Sequence, residues 1–339
     1  MKKVNVVIVG ATGAVGVTIR EILEERDFPV ENLYLLASER SAGERLMFKG
    51  KSVRVENLAD FDFSKADIGL FSAGGDISAE YAPKAAEAGC VVVDNTSHFR
   101  YEDDIPLVIA EVNPERIADY KNRGIIANPN CSTMQLLVAL KPIQDDVGIE
   151  HINVCTYQAV SGSGHKAVEE LASQTAELLN GREAISKVYD KQIAFNVLPN
   201  IDAIQDNGYT KEEMKMVWET HKIFEDPSIG VSPTAVRVPV FYGHSEAVHI
   251  KTRVPLDAEQ ARFLLKNAEG VTVVDDMSKL EYATPVTHAS GKNDVFVSRI
   301  RQDVGMENGL AMWVVSDNVR KGAALNTVQI AEILVKNYL

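Results

Sequence analysis

The hexapeptide Asn128-Pro129-Asn130-Cys131-Ser132-Thr133 sets a cysteine in a polar frame just ahead of the apolar run 134–140. Pro129 holds the residue before it extended, and Ser132 or Thr133 is expected to cap the helix that follows, so Cys131 should lie at a helix N-terminus. There the macrodipole and free amides favour a thiolate at neutral pH, and the same amides can hold an oxyanion. Cys90 and Cys155 lie in apolar, strand-like runs and read as packing residues. A cysteine adding to an aldehyde gives a hemithioacetal whose oxygen must lose its proton as hydride leaves, a task suited to histidine. Of His98, His151, His165, His221, His244, His249 and His288, the fifth stands out. Gly243-His244-Ser245 closes the strand-like run 237–242, where a loop could present the imidazole to a cleft.

Hydride chemistry needs a carrier, and Gly10-Ala11-Thr12-Gly13-Ala14-Val15-Gly16 follows an apolar N-terminal run and opens a helix expected near Val17. Glycines there permit a tight turn and close approach of a pyrophosphate to helix amides. Gly10, Thr12, Gly13, Ala14 and Val15 are therefore the expected dinucleotide contacts. The next strand ends in Ser38-Glu39-Arg40-Ser41, without an acidic residue at its tip. Ser38, Arg40 and Ser41 thus favour a 2′-phosphate, hence NADP over NAD, with Glu39 expected to face solvent. Ser72-Ala73-Gly74-Gly75 marks a further strand end at which Ser72 and Gly74 could meet the cofactor.

These residues need elements to position them. Over the first 110 or so residues, strand-like runs 4–9, 33–37, 67–72 and 91–94 alternate with helical patterns 16–25 and 79–88. That rhythm predicts a doubly wound α/β domain with a parallel sheet. Beyond Cys131, the strand-like runs 153–160, 235–242 and 247–253 are separated by the helical stretches 167–179 and 211–224, predicting an α+β domain with a large mixed or antiparallel sheet. The segment 325–338 has helical apolar spacing. At 339 residues, two domains are expected. The run after Met1-Lys2-Lys3 contains Asn5 and enters the glycine turn directly, so it reads as a strand rather than a signal peptide. The chain is expected to be cytoplasmic. Three cysteines without close pairing argue against disulfides or zinc, and no metal is expected. A net charge of -13 disfavours nucleic acid or an anionic membrane as partner.

Five ordered blocks together resemble the aspartate-semialdehyde dehydrogenase family. They are the glycine loop, the Cys131 block, Tyr157-Gln158-Ala159-Val160-Ser161-Gly162-Ser163-Gly164, Arg237-Val238-Pro239-Val240 with Gly243-His244-Ser245, and Asn318-Val319-Arg320-Lys321-Gly322-Ala323-Ala324. The resemblance implies a Rossmann-type NADP-binding domain, 1–130 with the C-terminal 318–339, and a catalytic and dimerisation domain, 131–317. It implies reversible NADPH-dependent reduction of L-aspartyl 4-phosphate to L-aspartate 4-semialdehyde and phosphate, through a cysteine thioester, in a homodimer or tetramer. That reaction feeds lysine, diaminopimelate, threonine and methionine synthesis. By motif, Cys131 is the nucleophile, Gln158 orients the thioester, His244 is the acid/base and Arg237 grips the α-carboxylate. Glu219 and Lys222, on one face of a helix, would meet the substrate ammonium and phosphate, with Arg100 and Asn130 completing the phosphate site. Ser161, Gly162 and Asn318 would join the cofactor site. N-acetyl-glutamyl-phosphate reductase, a sister enzyme, and a non-catalytic NADP-binding redox sensor are the competing readings.

Overall fold

A computed structural model describes residues 2–339. The chain forms two compact units, one of 1–130 with 323–339 and one of 131–322.

In the first unit the strands are β1 (Val4–Val9), β2 (Val30–Ala37), β3 (Arg45–Phe48), β4 (Lys51–Asn57), β5 (Ile68–Phe71), β6 (Val91–Asp94) and β7 (Ile125–Ala127). They form one sheet in the order β3-β4-β2-β1-β5-β6-β7, parallel except for the antiparallel β3–β4 pair. Strands β5, β6 and β7 are buried throughout, as expected of a parallel sheet covered on both faces. Helices α1 (Ala14–Glu25), α2 (Gly75–Glu87) and α7 (Asn326–Asn337) supply the cover. Val328, Ile330, Ala331, Leu334 and Val335 of α7 join the core built on β1 and α1. The direction of the strand order reverses at β1, between β2 and β5, which opens a crevice at their carboxyl ends.

The second unit begins with α3 (Cys131–Val147), followed by β8 (Ile149–Gln158), α4 (His165–Leu179), α5 (Lys211–Phe224), β9 (Gly230–Arg237), β10 (His244–Thr252) and α6 (Ala258–Lys266). Then come β11 (Val271–Val273), β12 (Asp275–Asp276), β13 (Glu281–Tyr282), β14 (Val295–Gln302) and β15 (Gly309–Ser316). The main sheet has the order β11-β14-β15-β10-β8-β9 and is mixed: β8–β9 and β11–β14 are parallel and the rest antiparallel. Helix α3 packs on one face of β8, β10, β14 and β15.

Three local expectations are corrected. Helix α1 starts at Ala14, not near Val17, because Gly13 already occupies the N-cap position and its carbonyl accepts the Val17 amide. Helix α3 starts at Cys131 itself, so Ser132 and Thr133 lie buried inside its first turn rather than capping it. The expected strand 235–242 stops at Arg237, and His244 is not on a loop but is the first residue of β10. Pro239 has no N–H for a ladder, and Gly243, at φ +91°, turns the chain; a Cβ there would lie 3.0 Å from that of Pro285.

Candidate active site

In the first unit the expected cofactor residues gather at the carboxyl ends of β1, β2 and β5. Gly10, at φ +86°, lets the chain turn out of β1; a Cβ on it would come within 3.0 Å of the Ser72 and Ala73 backbone. Gly16, in the first turn of α1, lies so close to the loop that a Cβ would stand 2.2 Å from the Gly10 carbonyl oxygen. Gly13 provides no side-chain cap, so the first amides of α1 point out past Thr12, Ala14 and Val15 with no partner inside the helix. Ser72 Oγ donates to the Val9 carbonyl at 3.2 Å, tying the end of β5 to that of β1. Gly74, at φ +113°, leads into α2. Beyond β2, Ser38 precedes a single helical turn, Glu39–Ser41, and both Glu39 and Arg40 are exposed.

Farther along the same sheet edge, Arg100 is buried and held from behind. Its Nε donates to the Thr96 carbonyl at 3.1 Å and Nη2 to the Asn95 carbonyl at 2.9 Å. That loop is fixed by Asp94, which accepts from Ser78 Oγ and Thr96 Oγ1 at 2.7 Å each. Burial pushes the Asp94 carboxyl up, against those bonds and Arg100, which pull it down. Asn128 Nδ2 donates to Asn95 Oδ1 at 2.9 Å, so the segment leading to the buried Asn130 is anchored to the loop that carries Arg100.

In the second unit the catalytic candidates assemble where β8, β9 and β10 meet. After β8 and β9 end, the two chains stay paired through the amides of Val160 and Ser161, which donate to the carbonyls of Val240 and Phe241. This places Ala159 between two functional side chains. Its N–H donates to His244 Nδ1 at 3.0 Å, and its carbonyl accepts from Arg237 Nη1 at 2.8 Å. His244 is fully buried and Arg237 almost so, yet His244 Nε2 and Arg237 Nε have no hydrogen-bond partner. Gly162 flanks both: a Cβ would lie 3.2 Å from Arg237 Nη1 and 3.3 Å from His244 Nε2. Burial, and then the Arg237 charge, drive the His244 pKa down to about 3, with Glu212 pulling the other way.

Asn318 secures this corner, accepting from the Gly243 amide at 2.9 Å and donating to Ser161 Oγ at 3.0 Å. Gln158 Nε2 donates to Glu212 Oε1 at 3.2 Å and to Thr156 Oγ1 at 3.3 Å. Cys131 is half-buried at the start of α3, and Gly322 abuts it, since a Cβ at 322 would stand 2.6 Å from that of Cys131. Glu219 is fully buried on α5, the helix that packs against β9, with Lys222 three residues on and half-buried. His221, between them, places its Nε2 2.8 Å from the Ile229 carbonyl oxygen, a packing role.

Sequence reasoning missed Ala159 and Glu212. Nothing about an alanine signals a backbone amide that fixes a histidine 85 positions away. Glu212 had a detectable signal: it precedes Glu219 by two helical turns and so shares its face. Among the described residues, no group of three or more His, Cys, Asp or Glu could hold a metal ion, and no helix is long and apolar enough to cross a membrane.

Comparison with known proteins follows the same division. Residues 5–120 match the family model "Semialdehyde dehydrogenase, NAD binding domain" and residues 140–321 match "Semialdehyde dehydrogenase, dimerisation domain". An aspartate-semialdehyde dehydrogenase of Legionella pneumophila is 62% identical over 100% of this chain and 97% of its own length. The crystal structure of aspartate semialdehyde dehydrogenase II from Vibrio cholerae, complexed with ASA, superposes with a TM-score of 0.98 at 60% identity, covering 100% of both chains. An aspartate semialdehyde dehydrogenase with NADP from Candida albicans matches at 26% identity and a TM-score of 0.78, over 98% of this chain and 99% of that one. On both its sequence and its fold, the chain belongs to the aspartate-semialdehyde dehydrogenase family.

Proposed function

We propose that the protein catalyses the reversible, NADPH-dependent reduction of L-aspartyl 4-phosphate to L-aspartate 4-semialdehyde and phosphate, by way of a thioester on Cys131. The observation that carries this reading is the pair of buried, unpartnered nitrogens on His244 and Arg237, set either side of Gly162. A buried donor left unpaired costs roughly 1–3 kcal/mol, more if charged, so two in one corner imply a ligand that supplies oxygens. A carboxylate for the Arg237 fork and a carbonyl oxygen for His244 fit an amino acid semialdehyde.

Cys131 at the first turn of α3 supplies the nucleophile, favoured as thiolate by the helix amides. Gln158, held by Glu212 and Thr156, orients the acyl group. Glu219 meets the substrate ammonium, and Lys222, Arg100 and Asn130 meet the phosphate. The uncapped start of α1 and the close Gly10–Gly16 approach fit a dinucleotide pyrophosphate, with Gly10, Thr12, Gly13, Ala14, Val15, Ser72 and Gly74 around it. Exposed Arg40, with Ser38 and Ser41, supports a 2′-phosphate and hence NADP, and Ser161, Gly162 and Asn318 line the nicotinamide end. Bound NADP supplies the hydride acceptor in the oxidative direction.

The reading extends to a cytoplasmic enzyme that self-associates as a homodimer through its second unit, which matches a dimerisation domain. The test is phosphate-dependent NADP reduction with aspartate semialdehyde, run beside N-acetyl-glutamate semialdehyde and with NAD in place of NADP. Turnover of the aspartate compound alone is expected; turnover of only the acetylated one would reject the substrate. A Cys131→Ala variant that keeps full turnover would reject the thioester.

A further inference from the structure

We infer that the side-chain amides of Asn95, Asn128 and Asn326 form a relay that positions Arg100 and the segment 128–130 for inorganic phosphate, so that phosphate capture depends on a residue of α7 lying outside both segments. The inference rests on the reading of Arg100 and Asn130 as the phosphate site, and deepens it by naming what holds that site in shape.

Backbone groups at the far end fix the direction of the relay. Asn326 Oδ1 accepts from the Ala110 amide at 2.9 Å, and a backbone N–H can only donate, so the other arm of that side chain is its nitrogen. Both Nδ2 protons are then used, one on the Val108 carbonyl at 2.8 Å and one on Asn128 Oδ1 at 2.6 Å. With its oxygen so engaged, Asn128 turns Nδ2 to the Ala323 carbonyl at 3.3 Å and to Asn95 Oδ1 at 2.9 Å. Asn95 Oδ1 also takes Thr327 Oγ1 at 2.8 Å, and Asn95 Nδ2 donates to the Phe71 carbonyl at 3.0 Å. Each amide thus donates to the next in one sense, an arrangement in which the bonds polarise one another and a single flip sets donor against donor. Asn128 and Asn326 are buried, where a flipped amide would find no water to make good the loss.

The relay ends on the turn that carries Arg100. Asp94 Oδ1 accepts the Thr96 amide at 3.2 Å and Oδ2 accepts Thr96 Oγ1 at 2.7 Å, closing a turn on itself. That turn sets the carbonyls of Asn95 and Thr96 toward the guanidinium, where they take Nη2 and Nε at 2.9 and 3.1 Å. Asn128 joins the same turn twice, by its backbone N–H to the Asp94 carbonyl at 2.8 Å and by its side chain to Asn95. Asn130 follows two residues later and is itself buried. The spacing between Arg100 and Asn130 therefore runs through Asn95 and Asn128, and Asn326 fixes from behind the rotamer that makes their contact.

Phosphate is the ligand that should feel this arrangement most. It is a small, strongly hydrated anion, and donors that must be gathered around it at the moment of binding cost entropy that donors already in place do not. A planar guanidinium grips two of its oxygens only within a narrow range of orientation. The dinucleotide residues, by contrast, follow β1, β2 and β5. The relay meets β5 at the Phe71 carbonyl, which the Asn95 backbone amide also holds at 3.0 Å, so that tie survives loss of the Asn95 side chain. Slackening the relay should thus weaken phosphate binding far more than dinucleotide binding.

The test uses the full chain with Asn95→Ser or Asn326→Ala, assayed in the direction of NADP reduction with inorganic phosphate varied. Asn95→Ser, at a half-buried position, should raise KM for phosphate roughly 10- to 100-fold while the Kd for NADPH, read from its fluorescence, stays within about threefold. Asn326→Ala should raise KM for phosphate in the same direction from one step further back; if that buried substitution does not fold, Asn95→Ser decides alone. An unchanged KM for phosphate, or a loss of NADPH affinity as large as the loss for phosphate, would overturn the relay and leave these amides a merely structural part of the unit. Arg100→Ala separates the two levels of the argument. If it leaves KM for phosphate unmoved, the phosphate site lies elsewhere; if it raises KM and Asn95→Ser does not, the site stands and the relay falls. The placement of the guanidinium is also read without any ligand, from the ¹⁵N NMR signal of Arg100 Nε–H, assigned by its absence in Arg100→Ala. Its exchange with solvent should quicken by about tenfold or more in Asn95→Ser, and equal exchange would show that Asn95 does not hold Arg100.

Discussion

Strand β10 carries two histidines on its opposite faces, and they live in opposite chemistries. His244 points to the α3 side, fully buried, its Nδ1 facing an amide that can only donate. His249, five residues on and therefore on the other face, is partly exposed and places Nδ1 2.6 Å from a carboxylate oxygen of Asp303, which can only accept. One partner strips the ring nitrogen of its proton and the other demands it there. The inner face is where a charge is excluded, and Glu246 shares it, paired in register with Thr156 and Val314. The outer face tolerates charge because water reaches it. Parity along a strand thus sorts like residues into reactive and ordinary ones more sharply than residue type does.

The largest effect expected from this contrast is on acid stability. His244 is depressed from 6.5 to about 3 in the folded protein, so the folded state binds fewer protons than the unfolded one. Its stability contribution is full above the unfolded pKa and is lost as pH falls through that window, by on the order of 4 kcal/mol. Urea midpoints measured from neutral pH downward should fall more steeply in wild type than in His244→Gln, which has nothing to titrate. Parallel curves would break the contrast at its root.

Glu246 should show the opposite sign. Its folded pKa is raised by burial, with the Gln135 amide the opposing influence, so the folded state holds a proton that the unfolded chain releases. Stability is full below the ordinary carboxylate range and declines as pH rises toward the folded value. Both Glu246 oxygens lack a partner of normal geometry, as do both ends of the Gln135 amide, which adds a desolvation cost. Glu246→Gln, similar in volume and unable to ionise, is expected to be more stable than wild type near neutral pH, with the gain vanishing in acid. A variant that is less stable at every pH would show that the carboxyl is needed in its own right.

Arg237 sharpens the same contrast between a shared charge and a shaped donor. Arg237→Lys keeps a cation in the corner but loses both the Nη1 bond to Ala159 and the unpartnered Nε. We expect kcat/KM to drop roughly 10- to 100-fold, most of it in KM, since a charged hydrogen bond is worth about 1.5–3 kcal/mol. An unchanged KM would move the carboxylate site elsewhere.

How much of this was legible in the sequence depended on the range of the interaction. The glycine loop and the Cys131 block are local: a turn, a missing cap and a helix start are written in adjacent residues, and the structure places both at helix N-termini. The family blocks pointed to Arg237, Gln158 and His244, and the fold brings these to one corner. What could not be read was strand parity. With Pro239 taken into an over-long strand, the start of β10 was placed at 247 rather than His244, and the buried Glu246 fell outside it. The clasp of Ala159 on His244 joins segments far apart in the chain through a backbone atom that every residue possesses, so no residue type could advertise it.

The smallest effect is expected on the outer face. The His249 hydrogen bond is the first cause holding the Asp303 carboxyl below its usual range, followed by the Gly305 amide, and that contribution is present above the ordinary carboxylate pKa and lost as pH falls. The pair bridges β10 to the turn before β15, but His249 is partly open to solvent, where such pairs contribute about 1 kcal/mol or less. His249→Ala should therefore shift the urea midpoint of a dilute sample only slightly and leave kcat/KM within about twofold. The face around it includes exposed Tyr157 beside Trp313, with ring centroids 5.4 Å apart, on the sheet of the unit matched to a dimerisation domain. If two copies meet there, burial strengthens the His249–Asp303 pair, and the variant's loss of stability should grow with protein concentration across the range in which dimers form. A loss independent of concentration would leave the pair a solvent-facing tie within one chain.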